Sequence, residues 1–349
     1  MTQFVYLSNA LSGTITRYQL SHGVLTFVGE TYVGEMVMPM TISQCKNFLY
    51  AAVRSQPYRI VQFKIERKTG ALTKGSELKV DESIVSLDVD SKNRWLLAAS
   101  FNHNRLSVKA LQDSGKLSGN TAVVQHQAHC HMFRFSPDEE WMVATEFGRD
   151  KIYVYPSPKT DEMVAVADFE YDFPKGSGPR HLVFSPCGSF LYVLTEMSAT
   201  VTTFAFDKVN GILNFVAETP ILPLDDLGLE IGLPPAKRIE NDVPRVWAAD
   251  IHITQSGRFV YVSERTLSVI SCLEVTKTDP VPQYRYHQAV ERQPRSFMLT
   301  PDDKFMLVSG ELADELGVYE VDASNGTMVR VSSAQCGEGA AWVCGISMG

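Results

Sequence analysis

The chain has 349 residues, a net charge of −8 at pH 7 and 44% hydrophobic residues, with 21% charged. That composition excludes a disordered chain, and the acidic balance argues against nonspecific nucleic-acid binding. No run approaches the length of a membrane span, and the segment 1–10 enters a strand-like FVYLS with no basic leader, so neither a membrane nor an export signal is expected.

Taken in chain order, one unit recurs: a short apolar strand, a turn of Asp, Gly, Ser or Lys, a second apolar strand, and a polar tip. Residues 4–9 supply the second half of a copy. Weaker copies follow at 41–54 and 87–102, then strong ones at 132–146 (MFRFSPDEEWMVATE), 181–196 (HLVFSPCGSFLYVLTE), 251–265 (IHITQSGRFVYVSER) and 297–311 (FMLTPDDKFMLVSGE). Residues 340–347 supply a first half. The period of about 46 residues holds four short strands, the signature of a propeller blade. Six interior copies and one split between the termini predict an all-β, seven-bladed β-propeller with four-stranded antiparallel blades, its ring closed by the N- and C-terminal strands. A single propeller over 1–349 overrides the length-based expectation of two or three domains. The spacing breaks once, at 220–245, a Pro-, Gly- and charge-rich stretch that reads as a long inserted loop.

In an antiparallel blade, residues just before the first strand and just after the second lie on one face near the axis. That places His131, Arg180, His181, Asp250 and Arg295 with Arg54, Glu146, Glu196, Arg265 and Glu311. Unpaired buried charges of this kind are costly, so they either plug the funnel as ion pairs or form an acid–base and anion-holding site. The insertion is expected to run over the same face, with Lys237, Arg238 or Arg245 available to an anion. Trp247 and Trp342 are expected in the core. The sequence HCH at 129–131 lacks the spacing of a metal site, so no metal and no cofactor is expected. Six cysteines without a CxxC pair fit reduced thiols in the cytoplasm.

The segments GSGPRHLVFSPCGSFLYVLTEMSATV, VWAADIHITQSGRFVYVSERTLSVI, QPRSFMLTPDDKFMLVSGE and GAAWVCGI resemble the seven-bladed lactonase family along the whole chain. The likeness is to its bacterial propeller-type 6-phosphogluconolactonase branch, related to the fungal carboxy-cis,cis-muconate lactonizing enzymes. The resemblance implies a metal-independent lactone hydrolase acting on a small anionic lactone or sugar acid. It implies catalytic roles for His131, Arg180, Glu196 and Arg265, and the blade geometry, not the resemblance, sets Arg54, Glu146, His181, Asp250, Arg295 and Glu311 around the substrate. In that reading Arg180 and Arg265 hold the acid group, and Glu196 and His131 act as acid and base. Glu146 and Glu311 stand where many members of the branch carry neutral residues, which points to a non-phosphorylated lactone. A lactonizing cycloisomerase and a non-catalytic binding platform are the alternatives.

Overall fold

The computed structural model describes residues 2–159, 166–237, 243–276 and 278–348. Seven four-stranded antiparallel sheets stand around one axis, and six of them are built from consecutive strands. In the seventh, Ala340–Met348 pairs with Thr2–Asn9, from Gln3 opposite Ser347 to Asn9 opposite Ala340, so one sheet stitches both termini. The expected seven blades and the expected ring closure are both present.

Burial changes with distance from the axis. Second strands such as Phe190–Thr195 (FLYVLT) and Phe259–Glu264 (FVYVSE) are buried on both faces, because each blade is covered by a neighbour on either side. Outer strands such as Ile212–Pro220 are mostly exposed, with single buried residues such as Leu213. This is why inner strands read as continuous apolar runs and outer ones do not. The core therefore lies between blades. One cluster joins Val143, Ile152 and Val154 of one blade to Leu182, Leu191 and Phe204 of the next.

A tyrosine tie recurs at these seams. The hydroxyls of Tyr6, Tyr50 and Tyr261 donate to the carbonyls of Gly70, Gly115 and Gly326 at 2.8–2.9 Å. Each ring is fully buried, and its one polar atom is satisfied by the adjacent blade.

Candidate functional site

The site begins with a defect in the strand pairing that repeats around the ring. Cys130 pairs with Glu146 and Met132 with Thr145, so His131 has no opposite residue. The same extra residue appears at Arg295, between the pairs Pro294–Gly310 and Ser296–Ser309. It recurs within 180–181, 249–250, 38–39, at 85 and, in the closing blade, at 341. Such bulges bend a strand and re-aim its side chains, and they concentrate at barrel rims and active sites. These residues therefore lie inside the inner strands, not ahead of them as expected.

The bulges also correct the spacing. Arg180 to Glu196 and Arg295 to Glu311 are sixteen apart, and so are Met38 to Arg54, Val85 to Phe101, His131 to Phe147 and Ala249 to Arg265. The residue that stands with Glu196 in the blade of His131 is thus Phe147, not Glu146. This constant separation is the sequence signal that would have found the correct layer.

Glu146, the last residue of Trp141–Glu146, faces elsewhere. One oxygen accepts from the backbone N–H groups of Gln127 and Ala128 (both 2.8 Å), and the other from Tyr153 Oη (2.8 Å). Glu264 does the same for Trp247, Thr266 and Leu267. Both carboxylates fasten connecting loops. Burial opposes ionisation of Glu146, but His126, the Ala128 amide and Tyr153 outweigh it and bring the carboxyl down to about 2. A carboxyl held below its usual 4.5 stabilises the fold above that value and stops doing so as the pH falls toward 2. Glu146→Gln is therefore expected to cost about 1–3 kcal/mol at neutral pH. The difference from wild type should close between pH 4.5 and 2 in urea titrations, with KM little changed.

The other residues converge. Arg180 is fully buried, and its Nε donates to Glu196 Oε2 at 2.9 Å while Nη1 donates to the carbonyl of Ala249. Arg265 Nη2 donates to the same Oε2, also at 2.9 Å, and to the carbonyl of Ala248 at 3.1 Å. Its guanidinium lies 3.7 Å over the Trp247 ring, whose Nε1 donates to Glu196 Oε1 at 3.0 Å. Trp247 is thus half-buried and part of the site, where the sequence suggested core. Gly178 permits the approach: its φ is +65°, and a Cβ there would meet Phe147 and Met197 at 2.8 Å.

Around this centre, Arg295 Nη1 meets Glu311 Oε1 at 3.2 Å. Arg54 donates Nε to Ser83 Oγ at 3.1 Å, and among the described residues no carboxylate lies within ion-pair distance of it. Among the described residues, four guanidiniums (Arg54, Arg180, Arg265, Arg295) stand with the two carboxylates of this layer (Glu196, Glu311), more cationic than anionic groups. Burial pushes Arg54 and Arg180 down to about 10 and Arg265 to about 9, all still cationic at neutral pH. His131 is buried with its Nδ1 unpartnered. Burial, then Arg180, His181, Arg295 and Arg265, hold it neutral, well below its usual value.

His181 and Asp250 sit one residue further along their strands. They line a separate cavity of about 410 Å³ that runs down the axis to the turn residues Thr300, Pro301 and Asp303 on the far face. They thus sit one layer below Arg180 and Glu196, with the His181 ring 5.1 Å from that of His131. Trp342 lines the same cavity and also packs against the core, as expected.

The insertion is tied by its backbone to the segment that follows Glu196. Gly232 donates its N–H to the carbonyl of Met197, the residue after Glu196, at 2.7 Å. Ile221, Leu222 and Leu229 are buried in the cluster shared by the two flanking blades, so this stretch is partly structural and not a solvated excursion. Arg245 is paired with Glu230 at 2.9 Å, Lys237 is exposed, and Arg238 lies outside the described residues.

Residues 4–344 match the model of the family described as lactonase, 7-bladed beta-propeller. The chain belongs to that family. It is 30% identical over 345 residues to a 6-phosphogluconolactonase of Klebsiella pneumoniae (strain 342), covering 98% of each chain. It is 28% identical to a 6-phosphogluconolactonase of Enterobacter sp. (strain 638), again over 98% of each. Among solved structures, the periplasmic gluconolactonase of Pseudomonas aeruginosa superposes over the whole of both chains with a TM-score of 0.86 at 21% identity, a likeness of fold.

Proposed function

We propose that the protein hydrolyses a sugar-acid lactone, with 6-phosphogluconolactone as the substrate to test first. The observation that carries this is the surplus of buried guanidinium charge beside a neutral imidazole. An acid group on the substrate neutralises part of the surplus, and arginine's planar fork suits carboxylate or phosphate. The remaining guanidinium charge faces the oxyanion that develops at the lactone carbonyl, in a site shielded from bulk water. A neutral imidazole takes a proton from the attacking water and returns it to the ring oxygen as the C–O bond breaks. His131 is the imidazole that the sequence singles out. Glu196, with two arginines and a tryptophan on its oxygens, acts as their anchor in place of the base role first assigned to it.

Two contacts support reading the substrate as phosphorylated. Glu146 is committed to its loop, and Glu311 is paired with Arg295. The segment around Gly232 walls one side of the mouth, and we assign the loop to substrate retention. Six free thiols, two of them buried, suit a reducing compartment such as the cytoplasm.

The test is a lactone panel read with a pH indicator and corrected for spontaneous opening, phosphorylated and free lactones side by side. The phosphorylated lactone is expected to give the higher kcat/KM. Equal values would return the substrate to the non-phosphorylated class, and no acceleration on any lactone would overturn the enzyme reading.

A further inference from the structure

His131, beside the arginine cluster, has no partner on Nδ1 to fix its tautomer. A general base needs a lone pair aimed at the water it deprotonates, and a buried carboxylate on the opposite nitrogen supplies that aim. The arrangement exists one layer deeper. His181 Nδ1 lies 2.7 Å from Asp250 Oδ1, and both side chains are buried. Asp250 is fixed in turn: Oδ1 accepts from the Ile251 amide (3.0 Å), and Oδ2 faces His252 Nε2 (3.2 Å) and the Phe297 amide (3.3 Å). The remaining ring nitrogen, His181 Nε2, is buried with no partner. With Nδ1–H donated to Asp250, Nε2 carries the lone pair.

The placement is equally specific. His181 follows Arg180 in the same strand, its ring is 5.1 Å from that of His131, and it lines the axial cavity that leads to the far face. The dyad therefore stands between the arginine cluster and an axial cavity of mixed polar and apolar lining, about 410 Å³ in volume and ample for several waters.

We infer that His181, oriented by Asp250, is the general base of the lactonase reaction and acts on water supplied through the axial channel from the face opposite the substrate mouth. This rests on the lactonase reading. In the step, Nε2 takes a proton from water, the water oxygen bonds to the lactone carbonyl carbon, and the carbonyl electron pair becomes an oxyanion held by the guanidiniums. The oxyanion collapses, the ring C–O bond breaks, and the ring oxygen leaves with the proton carried by the His181 imidazolium. The product acid then releases its proton to bulk water and His181 is neutral again. Burial and Arg180 hold the imidazole down to about 4, so it is unprotonated at neutral pH, with Asp250 pulling the other way. His131 stays beside the substrate as a hydrogen-bonding group.

The test uses the full chain and 6-phosphogluconolactone. His181→Asn keeps a donor for Asp250 and loses the basic nitrogen. It should lower kcat at least a hundredfold, with KM within about threefold. Asp250→Asn, which conserves volume, should lower kcat about tenfold or more and move the acid limb of the kcat/KM profile to lower pH, because the carboxylate that favours the imidazolium is gone. A purely structural Asp250 would not move that limb. An active wild type with near-normal kcat in His181→Asn overturns the inference alone. If His181→Asn does not fold, an unmoved acid limb in Asp250→Asn overturns it. A wild type inactive on every lactone overturns the functional reading, and this inference falls with it.

Discussion

Glu196→Gln is expected to cost the protein both its activity and a large part of its stability. One carboxylate oxygen holds Arg180 and Arg265 at 2.9 Å each, and the other holds the Trp247 indole at 3.0 Å. All three charged side chains are buried. The amide keeps the volume and removes the charge, so two guanidiniums are left in the interior without a counter-ion. Taking one partner from a buried ion pair costs about 3–5 kcal/mol, a large share of the ~5–15 kcal/mol that holds a domain together. The amide must also present its NH₂ to a donor, either the indole or the guanidiniums. The arginines then lose the position from which they face the substrate, and a misplacement of about 1 Å is worth roughly a hundredfold in rate. Urea denaturation and kcat/KM on the same preparation check both halves. Wild-type stability with lost activity would show that solvent reaches the pair and would return Glu196 to a direct chemical role.

The ring and the site were legible to different depths. Blade number follows from a repeat whose strands are apolar for a plain reason: FLYVLT and FVYVSE are covered on both faces. The convergence of Arg180, Glu196, Arg265, Arg295, Glu311 and Arg54 follows from hairpin geometry, which needs only the order of the strands. The bulges left no mark on the apolar pattern, because one extra residue near a strand's start leaves the rest of the alternation intact. Counting across the bulges sets His131 level with Phe147 and not Glu146, and Arg265 level with Ala249 and not Asp250. A one-residue error at a bulge is an error of a whole layer. It set Asp250 in the layer of Ala249 and hid its contact with His181. Glu146 carried no sequence signal of its loop-fastening role, since its partners are backbone amides nineteen and eighteen residues upstream. Trp247 was invisible for a similar reason: its guanidinium and carboxylate partners lie in turns eighteen and fifty-one residues away.

Deleting residues 340–349 is expected to abolish cooperative folding. The strand Ala340–Met348 is the innermost of its blade, and its loss leaves the N-terminal strand Thr2–Asn9 with an unpaired edge facing the axis. Val343 and Ile346 are buried in two different inter-blade clusters, one on each side of the closing blade. Fully burying side chains of this size is worth about 1.5–3 kcal/mol each, and the paired backbone groups and Trp342 add to that. The total is comparable with the whole stability of a domain. An open ring would also present the newly bared edge to other chains, the situation closed propellers avoid. The truncated chain should therefore aggregate or show broad, non-cooperative melting by circular dichroism, and digest rapidly under limited proteolysis. Ile346→Ala is the graded counterpart: a buried large-to-small change costs about 2–5 kcal/mol without opening the ring, and it should melt lower but still cooperatively. A truncated protein that melts with wild-type cooperativity within a few degrees of the full chain would overturn closure by the shared sheet. It would also separate the site from the termini, since Trp342, 6.0 Å from the His181 ring, arrives in the axial channel only on that last strand.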